Sequence, residues 1–218
     1  MSKRMTGQRG QGLLELAVIL PVLLILLMGL VEVGYALRNY LVVVNACREG
    51  CRFAARGRFS DQDVGARVIS AGGVVRLGNP PSDVPFLRTH GTEENTGVIV
   101  SHFYMNAAGE VPSHTTWISG VLPNGSGGVV PIMADDSVLS PGSVQRTQLV
   151  ERHSPATQNI NATREAAGYE QTGNHIVVVE VFFMHHPLWN TPFVPLPDPW
   201  MMRSMAEMRV VTDRGSLE

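Results

Sequence analysis

Hydrophobic positions are concentrated at one end of the chain. Between Glu15 and Glu32 lie 16 residues without a charge, Leu16 to Val31, built mostly of Leu, Val and Ile. As an α-helix this run spans roughly 24 Å, and apolar character resumes at Val33 and continues to Leu37, so a tilted or slightly thinned membrane crossing is within reach. Pro21 lies inside the run and predicts a bend or local unwinding near its start, which membrane helices tolerate. Helical character is predicted to continue through Tyr35, Ala36, Leu37, Tyr40 and Leu41 to Arg58, with the two tyrosines placed for an interfacial belt. In this extension Arg48 and Arg52 share a face, as do Glu49 and Phe53. Ala46, Cys47, Gly50, Cys51, Ala54 and Ala55 make a small-residue surface suited to close packing, within the exported domain in the favoured reading and between subunits in the alternative.

From Ser60 the pattern becomes that of a soluble domain rich in turns. Ser60 or Asp61 can cap a short helix running to about Ala71, which Gly72-Gly73 ends, and Asn79-Pro80-Pro81 reads as a loop. Val98–Met105 and Val111–Ile118 are predicted strands joined by the hairpin-sized Asn106–Glu110, and Gly120–Gly128 is a predicted flexible excursion. The polar stretch Ser137–Asn174 has weak periodicity and reads as a long loop with a short helix. His175–Met184 is the clearest strand, apolar on both faces apart from Glu180, and so belongs inside the sheet. A proline-bearing connection and a last strand, Met202–Val211, complete the chain. The predicted class is α+β: one long amino-terminal transmembrane helix, then a small exported domain with an antiparallel sheet and long loops.

Charge orients this plan. Lys3, Arg4 and Arg9 precede the apolar run with no acid among them, which keeps the amino terminus cytoplasmic and puts the domain outside. A second crossing is not expected, because Ile176–Met184 is too short and contains Glu180. A secretory signal cut after the Gly34-Tyr35-Ala36 triplet is the competing reading, but the run exceeds the usual signal core of about 7–15 residues, and Glu15 and Glu32 sit awkwardly in it. A net charge of −2 supplies no basic field for nucleic acid.

Catalytic chemistry is hard to find. Of seven histidines only His185 and His186 are adjacent, and neighbours on an extended chain point to opposite sides, which favours solvated or loop-packing histidines over metal ligands. Glu93-Glu94 and Asp135-Asp136 lack calcium-loop spacing, and there is no HExxH, paired CxxC, nucleophile elbow, phosphate loop or dinucleotide fingerprint. The expectation is a non-enzyme with no cofactor and no metal. Cys47 and Cys51 stand four apart, where a regular helix seldom permits a disulfide. They read as small apolar residues in place of alanine, or alternatively as partners in an intermolecular disulfide.

A carboxylate at the edge of hydrocarbon, as at Glu15, is costly unless it is used. Two blocks place it in context: Arg9-Gly10-Gln11-Gly12-Leu13-Leu14-Glu15-Leu16-Ala17, and Asn45-Ala46-Cys47-Arg48-Glu49-Gly50-Cys51-Arg52-Phe53-Ala54-Ala55. The stretch resembles the TadE-like proteins, pseudopilins or minor pilins of the tight-adherence (Tad/Flp) branch of type IV pilus systems. It departs from them in carrying cysteines at 47 and 51. A strand, a proline-bearing loop and a final strand with Met208-Arg209 are also similar to that family's carboxyl-terminal pattern.

The resemblance implies cleavage by a prepilin peptidase between Gly10 and Gln11, the bond that makes Glu15 the fifth residue of the mature chain; Gly7 and Gly12 give the wrong spacing. It assigns Glu15 to assembly and peptidase recognition, through attraction to the new terminal amine of a neighbouring subunit. Asn45, Arg48, Glu49, Gly50 and Arg52 become family-motif packing residues. The implied divisions are a leader, 1–10, a transmembrane helix, 11–37, its continuation, 38–58, and an exported domain, 59–218. Implied partners are the prepilin peptidase, other pilin-like subunits, the Tad inner-membrane platform and the lipid bilayer. The expected location is the inner membrane, with a surface filament as a further destination. The rival from another class is a signal-anchored extracytoplasmic ligand-binding protein.

Overall fold

In the computed structural model, which describes residues 8–57, 59–77, 82–91, 93–124, 128–189 and 198–210, one helix runs through both the apolar segment and the domain. This helix, α1 (Gln8–Ala54), is 47 residues long and stays helical through Pro21, so the expected local unwinding is absent. Its first half is exposed apolar surface, from Leu13 to Leu30, while its second half buries Asn39, Val43, Ala46, Cys47, Gly50, Cys51 and Ala54. Those steps of three and four residues trace one helical face. The small-residue surface therefore packs inside the domain.

Helix α2 (Asp61–Ala71) begins at Ser60, whose hydroxyl accepts from Asp63 N–H while the Asp63 carboxylate accepts from Ser60 N–H. This reciprocal cap satisfies two otherwise orphaned amides. Next come a two-stranded antiparallel ribbon, β1 (Val74–Leu77) with β2 (Ser82–Pro85), and then the main sheet. The predicted loop at Asn79-Pro80-Pro81 lies outside the described residues.

The main sheet contains β3 (Thr96–Met105), β4 (Ser113–Pro123), β5 (Val129–Pro131), β6 (Asn174–His185) and β7 (Trp200–Arg209), in the order β5-β4-β3-β6-β7 with antiparallel neighbours. Val98, Val100, Val177, Val179, Val181 and Phe183 point to the face covered by α1 and α2. Alternate residues on the opposite face, Phe103, Met105, Ile176 and Val178, meet Leu139 and Leu149. Cover on both faces explains why β6 reads as an apolar run. Its exception, Glu180, is fully buried and accepts from the Ser137 hydroxyl and from Val138 N–H, fastening that loop to the sheet. Burial raises the Glu180 pKa above the ordinary carboxylate value.

Two expectations are corrected. Gly120 to Pro123 continues β4 rather than opening an excursion, while residues 125–127 of that predicted excursion lie outside the described residues; Gly120 takes φ +99°, and an added Cβ would collide with Thr96 O, so glycine permits the close β3–β4 approach there. Most of Ser137–Asn174 is a 23-residue helix, α3 (Val144–Ala166), rather than a loop with a short helix. Its buried positions are Leu149, Thr157 and Asn161, and two of those three are polar, which erases the apolar stripe that reveals a helix in sequence. Asn161 Nδ2 donates to Ala107 O and Thr172 O, and Thr157 Oγ1 donates to Met105 Sδ, so side-chain hydrogen bonds hold this helix down.

Candidate functional site

The sequence-predicted residues all fall on α1, at different depths. Gly10 and Gln11 lie in its helical amino-terminal turns, and Glu15 is exposed on the apolar half. Within the domain the second block divides by face. Gly50 is buried against Val68 and Val179, and Glu49 binds Arg67 of α2 with Oε1 2.5 Å from Nη2. Arg67 holds the Glu49 carboxyl below its usual pKa. Asn45, Arg48 and Arg52 are exposed on the opposite side of the same turns, in line with exposed Arg38 and Leu41.

Cys47 and Cys51 lie flat on β6, their thiols donating to Val179 O at 3.0 Å and Val177 O at 3.5 Å. Both are fully buried and free, and burial pushes both thiols up to about 12. A thiol so protonated and enclosed is a poor nucleophile and cannot meet another subunit without the domain opening. The alanine-like reading fits; the intermolecular disulfide does not.

Sequence reasoning missed the polar junction between helix and domain. Glu32, 9% exposed, accepts from Leu188 N–H at 2.9 Å, and its Oε1 lies 3.5 Å from His185 Nε2. His185 is 1% exposed, and its Nδ1 lies 3.0 Å from Asn39 Nδ2. With the ring neutral, Nδ1 accepts from Asn39 and the proton on Nε2 faces the carboxylate. Burial drives the His185 pKa down, against the pull of Glu32 in the opposite direction. The only sequence signal was a second acid interrupting the apolar run.

A second polar line joins α2 to the sheet. His102 Nε2 lies 2.7 Å from Asp61 Oδ1, and His102 Nδ1 lies 2.8 Å from His175 Nε2, with Tyr104 stacked on His175 at 4.5 Å between centroids. One hydrogen-bonded line thus runs from the Asp61 carboxylate through both nitrogens of His102 to His175. Burial, assisted by the nearby His102, lowers the His175 pKa from 6.5 to about 4, outweighing Asp61. The unfolded chain therefore binds a proton in that window that the folded chain refuses, so stability falls as pH drops from 6.5 towards 4. The expected outcome is a melting temperature that declines over that range, with His175→Asn flattening the decline. The same pH dependence in wild type and His175→Asn would contradict this, since the raised pKa of Glu180 acts in the opposite direction but equally in both proteins. Among the described residues no cluster of three or more His, Cys, Asp or Glu side chains could hold a metal ion.

Residues 10–52 match the family model of the TadE-like proteins. Over these residues the chain is similar to the TadE-like proteins. The match runs from Gly10 to Arg52, entirely within α1, and takes in the Glu15 motif and the two-faced second block as far as Arg52. No curated protein and no solved structure matches the chain. A pilin-like function related to the Tad pilus goes with the TadE-like match, as do partners from a pilus system in general. Helix α1 alone among the described helices is long and apolar enough to cross a membrane, which suits single-pass anchoring of a TadE-like protein.

Proposed function

We propose that this TadE-like chain is a pseudopilin or minor pilin, cut by a prepilin peptidase between Gly10 and Gln11, that acts in assembly of a Tad/Flp-type adhesive pilus or related secretion apparatus. The observation that carries the proposal is the continuity of α1: the helix bearing the family match extends from the processing motif through the apolar run into the domain core. A helix built this way transmits axial movement directly to the domain, which a flexible tether cannot do. In this reading residues 1–10 are the leader, 11–37 cross the inner membrane with the amino terminus cytoplasmic, 38–58 continue from it, as helix as far as Ala54, and 59–218 form the exported domain.

Glu15 becomes the fifth mature residue and pairs with the terminal amine of a sibling subunit, an attraction strengthened by the surrounding hydrocarbon. Asn45, Arg48 and Arg52, which the domain leaves exposed, are available to sibling subunits or the inner-membrane platform, whereas Glu49 and Gly50 serve packing within the chain. The test is Gly10→Ala in cells that carry a prepilin peptidase. Only uncut precursor is expected to accumulate in the membrane; normal maturation of this variant would remove the proposed cleavage site.

A further inference from the structure

The depth of Glu32 constrains how the domain sits. Leu16–Val31 covers about 24 Å, whereas a hydrocarbon core is about 30 Å thick and takes about 20 helical residues. If Glu15 marks the cytoplasmic boundary, the far boundary falls at about residue 35, beyond Glu32. A carboxylate at that level is costly unless covered. It is covered, and the cover comes from the end of β6: the Leu188 amide and the His185 ring. That end of the domain therefore shares the depth of Glu32. Its exposed side chains are those an interface selects: Leu188 at 48%, Trp189 at 38%, Trp200 at 48% and Met201 at 44%. Between this end and α1 runs a groove of ≈ 490 Å³ whose walls include Ile25, Met28, Val33 and Leu37 on one side and Trp189 and Trp200 on the other.

We propose that the end of the β6–β7 pair rests in the bilayer leaflet on the domain's side, and that a lipid acyl chain fills the groove between it and α1. The inference rests on α1 crossing the bilayer. A lipid chain is favoured as occupant because one wall is the membrane-spanning helix itself and the other carries indole rings at headgroup level, while Glu32 and His185, the polar groups behind the groove, already face each other.

The experiment uses the full chain in phosphatidylcholine vesicles, with plain or brominated acyl chains, and reads tryptophan emission. Trp117→Phe leaves Trp189 and Trp200 as reporters, while the double variant Trp189→Phe/Trp200→Phe leaves Trp117, which packs on Gly65 of α2. Brominated lipid is expected roughly to halve emission from the first variant and to leave the second nearly unchanged. Should Trp117→Phe fail to fold, wild type minus the double variant gives the same comparison.

Extraction with alkaline carbonate separates the two levels of the inference. A chain that stays with the membrane but is unquenched overturns the proposed immersion alone, whereas a chain that is released overturns the membrane crossing as well. Quenching that emerges only on dilution of protein in lipid would mean a second copy fills the groove, and would overturn the lipid assignment.

Discussion

Gly50→Leu is expected to lower the melting temperature of the detergent-solubilised chain more than any other single change on α1. A Cβ at Gly50 would already collide with Val68 Cγ2 of α2 and touch Val179 Cγ1 of β6 at 3.7 Å. Neither neighbour has room to move, since Val68 and Val179 are both fully buried. Leucine returns about 1 kcal/mol of helix propensity relative to glycine, but overpacking a core site typically costs about 1–3 kcal/mol and more where backbones must separate. The whole of α1 would have to lift from α2 and the sheet, so a net loss of about 2–3 kcal/mol follows, or roughly 5–10 °C for a chain of this size. Arg48→Ala, on the exposed side of the same turn, should leave the melting temperature within about 1 °C. Equal effects from the two substitutions would mean that α1 does not form the domain core.

Glu32→Ala should loosen the junction rather than the core. It strands the Leu188 amide and removes the carboxylate facing buried His185, at a cost of about 1–3 kcal/mol for unpaired polar groups. Amide exchange at Leu188 is expected to accelerate about ten- to hundredfold, with little change at Val177 or Val179 in the middle of β6. Glu32→Gln keeps an oxygen that can accept from Leu188 N–H and should preserve most of the protection. If Gln behaves like Ala, charge rather than hydrogen bonding holds the junction; if neither variant changes exchange, Glu32 does not couple helix to domain.

What was legible in the sequence followed from strong local signals. The unbroken apolar run, the capping residues at the start of α2, Ser60 or Asp61, and the Val and Phe richness of β6 each specify an element almost by themselves. Helix α3 was hidden because Thr157 and Asn161 stand where apolar residues would mark its buried face, and because Pro155, a helix breaker by propensity, lies inside it. The short β1–β2 ribbon escaped notice for want of any period.

The candidate site shows the same division. The Gly10–Glu15 spacing and the small residues from Ala46 to Ala54 could be read directly, but the two faces of the second block could not. Only the fold separates Gly50 and Glu49, which meet α2, from Asn45, Arg48 and Arg52, which do not. The polar junction joins Glu32 to Leu188 across 156 positions, and the histidine line joins Asp61 to His102 and His102 to His175 across 41 and 73. No local period connects residues so far apart.

One helix serving as processing substrate, membrane span and domain core is the central claim, and cleavage at its start tests it most directly. The wild-type arm of the Gly10→Ala experiment supplies the measurement: the intact mass of the chain recovered from membranes. A chain beginning at Gln11 is the expected result, with Glu15, Glu32 and the rest of α1 retained. A chain beginning at Met1 would contradict peptidase processing, and one beginning at Leu37 would contradict the whole account, since it would lack both Glu15 and Glu32.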